Sequence, residues 1–461
     1  MFIGRNEELT SLNERYNSGK YECAIVWGRR RVGKTELITE FVKNKKHIYF
    51  TAAEGTEQKN LELLSKAVFS GLQGKIKMSA PVFKSFTDCL DYIYENAKNE
   101  KIVFIIDEYP YFAGSDKSVS SVLQQYIDHK FQHLNFMLIL CGSSMSFMEN
   151  QVMGNKSPLY GRRTCQYKIL PFDFKTSALF HKNFNKQEQA VIYGITGGIP
   201  KYSLQIDDKT DLKTNIIKNF FSPDSLLFEE PNNLLKQELR EPAVYNSIIT
   251  AIATGSNKLN EIATKSQITT SACSVYLNSL LSLNIVKREL PVLSKSNSRN
   301  TIYRINDGMF RFWYKFVYEN ISEINMRQGE VVYDEIENQI SNFMGETFEE
   351  ICKQYLWQEN ITGRLPFRFK DCGRWWGNNP RTKEEQEIDL LAYAKNGKAL
   401  FAECKWTNAK ADNQILDNLI KKAAMFDYTD KYYILFSKSG FNEEVRKRAC
   451  DRVILVEFEG M

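Results

Sequence analysis

The stretch Gly28-Arg-Arg-Arg-Val-Gly33-Lys34-Thr35 has the pattern G-x-x-x-x-G-K-T, which is typical of loops that bind nucleotide phosphates. It follows an apolar run at residues 21–27 and precedes a helix-like stretch at residues 36–42. In that context the backbone N–H groups of the loop and the N-terminus of the helix both face the phosphate oxygens. The order strand, loop, helix therefore favours a phosphate-binding loop over a glycine-rich turn without a ligand.

Two side chains of this loop have specific roles in such chemistry. Lys34 would contact the β- and γ-phosphates, and the Thr35 hydroxyl would be a ligand of Mg²⁺. The residues predicted to contact the nucleotide in this segment are Gly28, Arg29, Arg30, Arg31, Val32, Gly33, Lys34, Thr35 and Glu36.

A second motif ends an apolar strand at residues 101–106, where Asp107 and Glu108 follow. We expect Asp107 to hold Mg²⁺ through water, and Glu108 to polarise the water that attacks the γ-phosphate. A third apolar run, at residues 136–141, leads into Gly142-Ser-Ser, and the Ser143 hydroxyl is predicted to sense the γ-phosphate. The glutamate beside Asp107 favours ATP hydrolysis over nucleotide binding alone.

Composition limits the class of protein. With 461 residues, 43% of them hydrophobic and 25% charged, we expect a soluble globular protein of about two to four domains. No apolar run approaches the ~20 residues that a membrane-spanning helix needs, and residues 1–8 lack the pattern of a signal peptide. Nine scattered cysteines without C-x-x-C spacing, together with only four histidines, indicate reduced thiols in the cytoplasm and argue against zinc.

The remaining pattern divides the chain into several domains. Alternating strand-like and helix-like segments predict a parallel sheet covered by helices on both faces. A polar helical stretch follows and predicts a lid over the nucleotide, and after it three helices and a hairpin have the layout of a winged helix-turn-helix. The predicted fold is α/β and multidomain, with a P-loop parallel-sheet ATPase core at 1–170, a helical lid at 171–238, a winged helix at 239–307, a helical linker at 308–340 and an α/β restriction-endonuclease-like domain at 341–461.

Positive charge is concentrated in two segments, although the net charge is only +5. Residues 241–305 hold seven Lys or Arg against three acids, and residues 361–383 hold six against one, with aromatic residues between them. Local positive charge with aromatic side chains favours DNA as a partner, although a winged helix can also mediate protein contacts. The basic residues assigned to the wing are Lys287, Arg288, Lys295, Arg299 and Arg304.

A second set of polar residues lies in a predicted hairpin near the C-terminus. Two apolar runs meet at residues 395–398, whose Asn-Gly centre is a strong hairpin signal. The hairpin brings Asp389 close to Glu403 and Lys405, which project from one face because they are two residues apart. Restriction-endonuclease-like nucleases have this arrangement, in which carboxylates bind Mg²⁺ and the lysine activates water. Glu349, in an upstream helical stretch, is predicted to be a third metal ligand.

In its order of motifs the chain resembles archaeal-type P-loop ATPases, related to the STAND and AAA+ groups, with a C-terminal restriction-endonuclease-like (PD-(D/E)XK) domain. The resemblance covers nearly the whole chain. The segments that carry it are Gly4-Arg5-Asn-Glu7-Glu8, the phosphate loop, Asp107-Glu108, Tyr160-Gly-Arg162, Gly197-Gly-Ile-Pro200, Glu387-Ile-Asp389 and Glu403-Cys-Lys-Trp406.

The resemblance implies further roles around the nucleotide. It implies that Gly4 and Arg5 lie beside the adenine, that Arg162, or its neighbour Arg163, reaches the γ-phosphate, and that Pro200 belongs to the lid. ATP and Mg²⁺ are the implied cofactors. The candidate catalytic residues are Lys34, Glu108, Arg162, Asp389, Glu403 and Lys405.

Three functions remain open from the sequence. The first is a Mg²⁺-dependent switch ATPase that gates a metal-dependent DNA nuclease. The second is an ATP-dependent DNA-binding regulator in which the nuclease-like domain is not catalytic. The third is a signalling or assembly protein whose winged helix binds protein, and homo-oligomerisation is compatible with all three.

Overall fold

The computed structural model describes residues 2–74, 81–294, 300–379 and 382–461. The chain forms two compact units, Met1–Pro171 and Phe172–Met461. The boundary between them lies one residue from the predicted end of the core domain. Two wing residues named above, Lys295 and Arg299, lie outside the described residues.

The first unit is built on a five-stranded sheet with the order β2-β3-β4-β1-β5, in which all neighbouring strands are parallel. The strands are β1 (Glu22–Trp27), β2 (His47–Thr51), β3 (Ile102–Asp107), β4 (Phe136–Gly142) and β5 (Cys165–Lys168). Every residue of β1, β3 and β4 is buried, as near-continuous apolar runs predict for central parallel strands. This order places the carboxyl ends of β1, β4 and β3 side by side.

Helices cover both faces of this sheet. Alternate strand residues face opposite sides, so that Phe104 and Ile106 belong to one hydrophobic core and Val103 and Ile105 to the other. The helices of this unit are α1 (Asn6–Tyr16), α2 (Lys34–Val42), α3 (Glu57–Gln73), α4 (Phe86–Ala97), α5 (Tyr109–Ser115), α6 (Val119–His129) and α7 (Met145–Phe147), with shorter turns at Phe131–His133 and Met148–Val152.

The second unit begins with a helical region followed by a two-stranded antiparallel sheet. Its first helices are α8 (Phe174–Ala178), α9 (Lys186–Thr196), α10 (Pro200–Ser203), α11 (Leu212–Phe220), α12 (Leu226–Glu238), α13 (Pro242–Ala253), α14 (Leu259–Lys265) and α15 (Thr270–Ser282). The sheet consists of β6 (Val286–Glu289) and β7 (Ile302–Ile305). Helices α13 to α15 with this hairpin follow the order that the sequence predicts for a winged helix.

The rest of the second unit is a mixed sheet with the order β12-β11-β10-β9-β8. Strands β8 to β10 are antiparallel, and β10 to β12 are parallel. The strands are β8 (Asp371–Asn378), β9 (Glu385–Tyr393), β10 (Lys398–Lys405), β11 (Asp430–Ser437) and β12 (Val453–Glu457). The helices are α16 (Gly308–Phe312), α17 (Ile321–Asn325), α18 (Gly329–Thr362), α19 (Asn413–Ala423) and α20 (Glu443–Arg446), with turns at Trp313–Val317, Tyr318–Asn320 and Phe458–Gly460.

Two of the domain boundaries expected from sequence do not separate structural parts. The boundary at residue 340 falls inside α18, which runs for 34 residues to a left-handed cap at Gly363 because no proline interrupts it. The segment at 171–238, which looks polar in sequence, contributes Phe220, Phe221 and Leu227 to the same hydrophobic core as α16 and α18. Among the described residues, no helix has both the length and the apolar character to cross a membrane.

Candidate functional site

The phosphate loop connects β1 to α2 through an unusual backbone path. Gly28 has φ 154°, and a Cβ atom there would lie 2.3 Å from the Ile169 carbonyl oxygen, so only glycine fits this close approach. Gly33 caps α2 with φ 91°, and Arg31 adopts φ 74°. A non-glycine residue in this region is strained, and such strain is common at functional sites.

The Lys34 side chain is buried inside this loop. Its ammonium donates hydrogen bonds to the carbonyl oxygens of Gly28 at 2.8 Å and Arg29 at 2.9 Å. A buried cation must be paired with acceptors, and these carbonyl oxygens fill that role. The ammonium is therefore held within the loop by these carbonyl oxygens. When a phosphate is bound, the ammonium can donate to phosphate oxygens instead.

The Asp107 carboxylate connects three parts of the first unit. Its Oδ2 accepts hydrogen bonds from the Thr35 hydroxyl at 3.2 Å and the Tyr49 hydroxyl at 2.9 Å. Its Oδ1 accepts from the Glu108 backbone N–H at 3.0 Å. The neighbouring hydroxyl and carboxylate oxygens of Thr35 and Asp107 suit Mg²⁺, which prefers hard oxygen ligands.

Tyr49 is a candidate functional residue that sequence reasoning missed. It lies in β2, with no motif around it, and reaches Asp107 because β2 pairs with β3. Burial, followed by the nearby Asp107 carboxylate, raises the pKa of the Tyr49 hydroxyl. The hydroxyl therefore stays protonated and remains a hydrogen-bond donor to Asp107.

Glu108 is held by the end of the neighbouring strand. The Ser143 hydroxyl donates to its carboxylate oxygens at 2.9 and 3.1 Å, and the Ser143 backbone N–H is 3.3 Å away. Glu108 itself has a left-handed backbone with φ 52°, which is strained for a residue with a side chain. Ser143, which we predicted to sense the γ-phosphate, thus contacts the predicted water-polarising carboxylate.

The N-terminal residues predicted beside the adenine lie next to the phosphate loop. The Arg5 guanidinium donates to the carbonyl oxygens of Val32, at 3.2 Å, and of Leu170, and pairs with Glu8 at 3.3 Å. Gly4 precedes it with φ 70°. Glu36 lies in the exposed first turn of α2.

In this structure the Arg162 guanidinium forms an ion pair with Asp128. Its Nε and Nη2 atoms donate to the two oxygens of Asp128 at 2.7 and 2.6 Å, and the guanidinium lowers the pKa of that carboxyl. Arg163 donates to the Met153 carbonyl oxygen at 3.1 Å. Contact of Arg162 with a γ-phosphate would require this bidentate pair to open. Pro200 is the first residue of α10 in the second unit.

In the second unit, the antiparallel pairing of β9 and β10 places Asp389 opposite Glu403, one step beyond the Leu390–Ala402 pair. Asp389 accepts a hydrogen bond from the Cys404 backbone N–H at 2.8 Å. Glu403 lies between two ammonium groups, with Lys405 at 2.8 Å and Lys422 of α19 at 3.4 Å. The hairpin that the sequence predicts is therefore present, with Lys422 as an additional partner.

The structure does not place Glu349, Asp389 and Glu403 around one cavity, and their shared binding of a metal ion stays a prediction. Glu403 lines a cavity of about 480 Å³ with Lys405 and Lys422, whereas Glu349 and Asp389 line another of about 40 Å³. Within the part of the chain that is described, no three acidic, histidine or cysteine side chains are placed to hold a metal. The reason is that the carboxylates have other partners: lysines for Glu403 and an arginine for Glu349.

That arginine is Arg374 of β8, whose Nε lies 3.6 Å from Glu349 and whose Nη2 contacts Glu387. Burial nevertheless raises the pKa of Glu349 to about 7, since Arg374 only partly offsets the desolvation and Asp389 adds repulsion. Burial and the Glu403 carboxylate also raise the pKa of Asp389. Burial therefore disfavours the ionised form of both carboxyls beside the small cavity.

The hairpin of β6 and β7, which carries three of the residues assigned to the wing, lines the same small cavity with Lys287 and Arg304. Lys287 pairs with Glu289 at 2.6 Å, and Arg304 pairs with Glu346 of α18 at 3.5 Å. Val292, just after β6, is buried in the core of the mixed sheet. Two of the cations assigned to the wing are therefore paired with acids of the chain, and Arg288 is exposed.

Comparisons with known proteins agree with this structure. Residues 2–206 match the model of an ATPase domain predominantly from Archaea, and residues 313–415 match a family of archaeal and bacterial proteins of unknown function. An uncharacterised protein of Methanocaldococcus jannaschii is 33% identical over 443 residues, which cover 95% of this chain and 96% of that protein. An uncharacterised ATP-binding protein of the same organism is 52% identical over 46 residues, or 10% of this chain and 78% of that protein.

Among solved structures, a Walker-type ATPase of Pyrococcus abyssi aligns with a TM-score of 0.54 and 20% identity, over 68% of this chain and 96% of that chain. The parallel sheet, the phosphate loop after β1 and the acid pair after β3 define the class as P-loop ATPases. The chain belongs to the family of ATPases whose domain occurs predominantly in Archaea, and it shares nearly its full length with the relative from M. jannaschii.

We predict that Glu349→Gln stabilises the second unit at high pH. A carboxyl whose pKa is raised by folding favours the folded state below its ordinary value of 4.5, and this contribution is lost as the pH rises through about 7. The variant should therefore gain roughly 1–3 kcal/mol of unfolding free energy at alkaline pH and little at acidic pH. Urea unfolding on either side of this window measures the difference. The exposed Glu335→Gln on the same helix is the control, and equal effects at both pH values would contradict the prediction.

Proposed function

We propose that the first unit binds ATP with Mg²⁺ and hydrolyses it. The observation that carries this proposal is the buried Lys34 ammonium inside the phosphate loop, followed in sequence by Thr35, whose hydroxyl donates a hydrogen bond to Asp107. A glycine-rich turn without a ligand has no need to bury a cation, since burial of an ammonium costs several kcal/mol unless it is compensated. The loop, its lysine and the acid pair together match the parts that phosphoryl transfer requires.

In this proposal each side chain has one task. Lys34 binds the β- and γ-phosphates, and the oxygens of Thr35 and Asp107 hold Mg²⁺, which supplies charge neutralisation to the phosphates when bound. Tyr49 orients Asp107. Glu108 orients the attacking water. To do so, its carboxylate must release the hydrogen bond from Ser143 and bind the water instead. The Ser143 contact therefore limits the fraction of time in which Glu108 can act.

We predict that Lys34→Ala and Glu108→Gln separate binding from hydrolysis. Lys34→Ala removes charge-assisted hydrogen bonds worth about 1.5–3 kcal/mol each, so the ATP affinity should fall by about 10–100-fold or more. Glu108→Gln should keep the affinity but slow hydrolysis by about 10²–10⁴-fold, as expected for loss of a general base. Calorimetric titration and phosphate release measure the two quantities.

Glu40→Gln, on the same helix as Lys34 and paired with nearby Lys43, is the matched control. It should leave both quantities within about 2-fold of the wild type, because a surface ion pair contributes little. A wild-type protein that binds no ATP, or a Glu108→Gln variant that hydrolyses at the wild-type rate, would contradict the proposal.

For the second unit we propose binding to the phosphate backbone of DNA. The cavity of about 480 Å³ is lined by three lysines, Lys405, Lys421 and Lys422, by two carboxylates, Glu384 and Glu403, and by amide and hydroxyl side chains. Cations and neutral hydrogen-bond donors in one cavity suit phosphodiester oxygens, which bind without regard to base sequence. The contact of Lys405 and Lys422 with Glu403 keeps these cations in place in the absence of DNA.

Metal-dependent cleavage of the bound strand is the second candidate function. It is favoured by the facing pair of Asp389 and Glu403 with Lys405 two residues on, which is the arrangement of restriction-endonuclease-like nucleases. Cleavage would require Glu403 to leave its two lysines for the metal. ATP hydrolysis would then act as a switch for the second unit. Comparing the rate of DNA cleavage with and without ATP measures how strongly hydrolysis controls cleavage.

We predict that Lys421→Ala combined with Lys422→Ala weakens DNA binding. Each lysine that neutralises a phosphate contributes about one to the slope of log affinity against log salt, so the slope should fall by about two. Fluorescence anisotropy with a labelled duplex across a salt series measures this slope. Lys447→Ala, at an exposed position of the same unit, is the control.

An unchanged slope in the double variant would contradict the proposed site. The same duplex incubated with Mg²⁺ or Mn²⁺ decides between the two candidates. Strand cleavage that Asp389→Asn abolishes would establish a nuclease, whereas binding without cleavage would establish a DNA-binding regulator.

A further inference from the structure

Arg30 links the phosphate loop to the segment that carries Glu108. It is the third residue of the loop, directly after the two carbonyl groups that hold the Lys34 ammonium. Its Nη2 atom donates a hydrogen bond to the Tyr111 hydroxyl at 2.6 Å. The P-loop pattern requires no arginine at this position, because the intervening residues of the motif contact phosphate through their backbone.

Tyr111 belongs to the same turn as the predicted water-polarising residue. Its backbone N–H donates to the Glu108 carbonyl oxygen at 2.9 Å in the first turn of α5. Arg30 thus belongs to the phosphate loop, and its guanidinium contacts the side chain of a residue that lies three positions after Glu108. This contact places a cation between the phosphate loop and the start of α5, the two segments that flank the terminal phosphate in a P-loop site.

A cation at that place would stabilise the charge that develops during hydrolysis of a nucleoside triphosphate. As the water oxygen bonds to the γ-phosphorus, the bond to the β–γ bridging oxygen breaks, and ADP and inorganic phosphate carry away the charge and the water's proton. Negative charge on the phosphoryl oxygens is stabilised by an arginine in many such enzymes. Arg162, which the resemblance implies for this role, is bound to both oxygens of Asp128.

We propose that Arg30 is the arginine that stabilises the γ-phosphoryl group during hydrolysis, in cis, and that Tyr111 is its positioning residue. The proposal rests on ATP hydrolysis by the first unit and names a further residue for that reaction. Arg30 acts on the transition state, so its loss lowers kcat more than it lowers nucleotide affinity. Tyr111 acts through Arg30, so its hydroxyl matters only while Arg30 is present.

The experiment compares Arg30→Ala, Arg30→Lys, Tyr111→Phe and Arg162→Ala in the full chain. Three quantities are measured: kcat for ATP hydrolysis, the affinity for Mg·ADP, and the affinity for Mg·ADP with aluminium fluoride, which mimics the transferred phosphoryl group. Arg30→Ala should lower kcat by at least ~100-fold and abolish the gain in affinity that aluminium fluoride gives, with ADP affinity within about 3-fold. Arg30→Lys should restore only part of kcat, because a lysine lacks the planar fork of donors.

Tyr111→Phe should lower kcat by about 5–10-fold, and it should have no further effect in the Arg30→Ala background. The proposal is overturned if an active wild type keeps its kcat in Arg30→Ala and Arg30→Lys, or if Arg162→Ala has the large effect instead. A wild type that binds ADP but does not hydrolyse ATP refutes the ATPase proposal and this one with it, and retained ADP binding shows that each variant is folded.

Discussion

The carboxylate of Asp107 is the point on which the nucleotide site depends. It accepts hydrogen bonds from Thr35 at the start of α2, from Tyr49 in β2 and from the backbone of Glu108. These groups meet because parallel strands bring their carboxyl ends to one edge of the sheet, where α/β proteins bind ligands. The strand order therefore determines the site: with β4 between β1 and β3, Ser143 reaches Glu108 from the neighbouring strand.

The second unit shows how a structure distributes charge that a sequence only counts. Residues 241–305 hold an excess of cations, but Lys287 and Arg304 are paired with acids of the hairpin and of α18. Likewise, Glu403 has two lysine partners and Glu349 has an arginine partner. A buried charge must be paired, and in this unit some partners are neighbours in one strand, whereas Arg374 of β8, Lys422 of α19 and Glu346 of α18 are distant in sequence from the groups they contact.

Much of the architecture could be predicted from the sequence because it follows from local pattern. The apolar runs at β1, β3 and β4 and the glycines of the phosphate loop indicate a parallel sheet with a nucleotide site, and the Asn-Gly turn indicates the β9–β10 hairpin. Tyr49, the Ser143–Glu108 contact and the Arg162–Asp128 pair could not be predicted, since each depends on which strands or helices become neighbours. The burial of Val292 in the mixed sheet likewise depends on tertiary packing, and it makes the hairpin part of the surface beside Glu349.

The central claim is that Asp107 joins the nucleotide site to Mg²⁺. The most direct measurement is the affinity of a non-hydrolysable ATP analogue, by calorimetry with and without Mg²⁺, for the wild type and Asp107→Asn. The wild type should bind the analogue at least ~10-fold more tightly with Mg²⁺, and Asp107→Asn should lose that gain while keeping its Mg²⁺-free affinity, because Lys34 and the loop are unchanged. Equal affinity with and without Mg²⁺ in the wild type, or a full Mg²⁺ effect in Asp107→Asn, would contradict the claim.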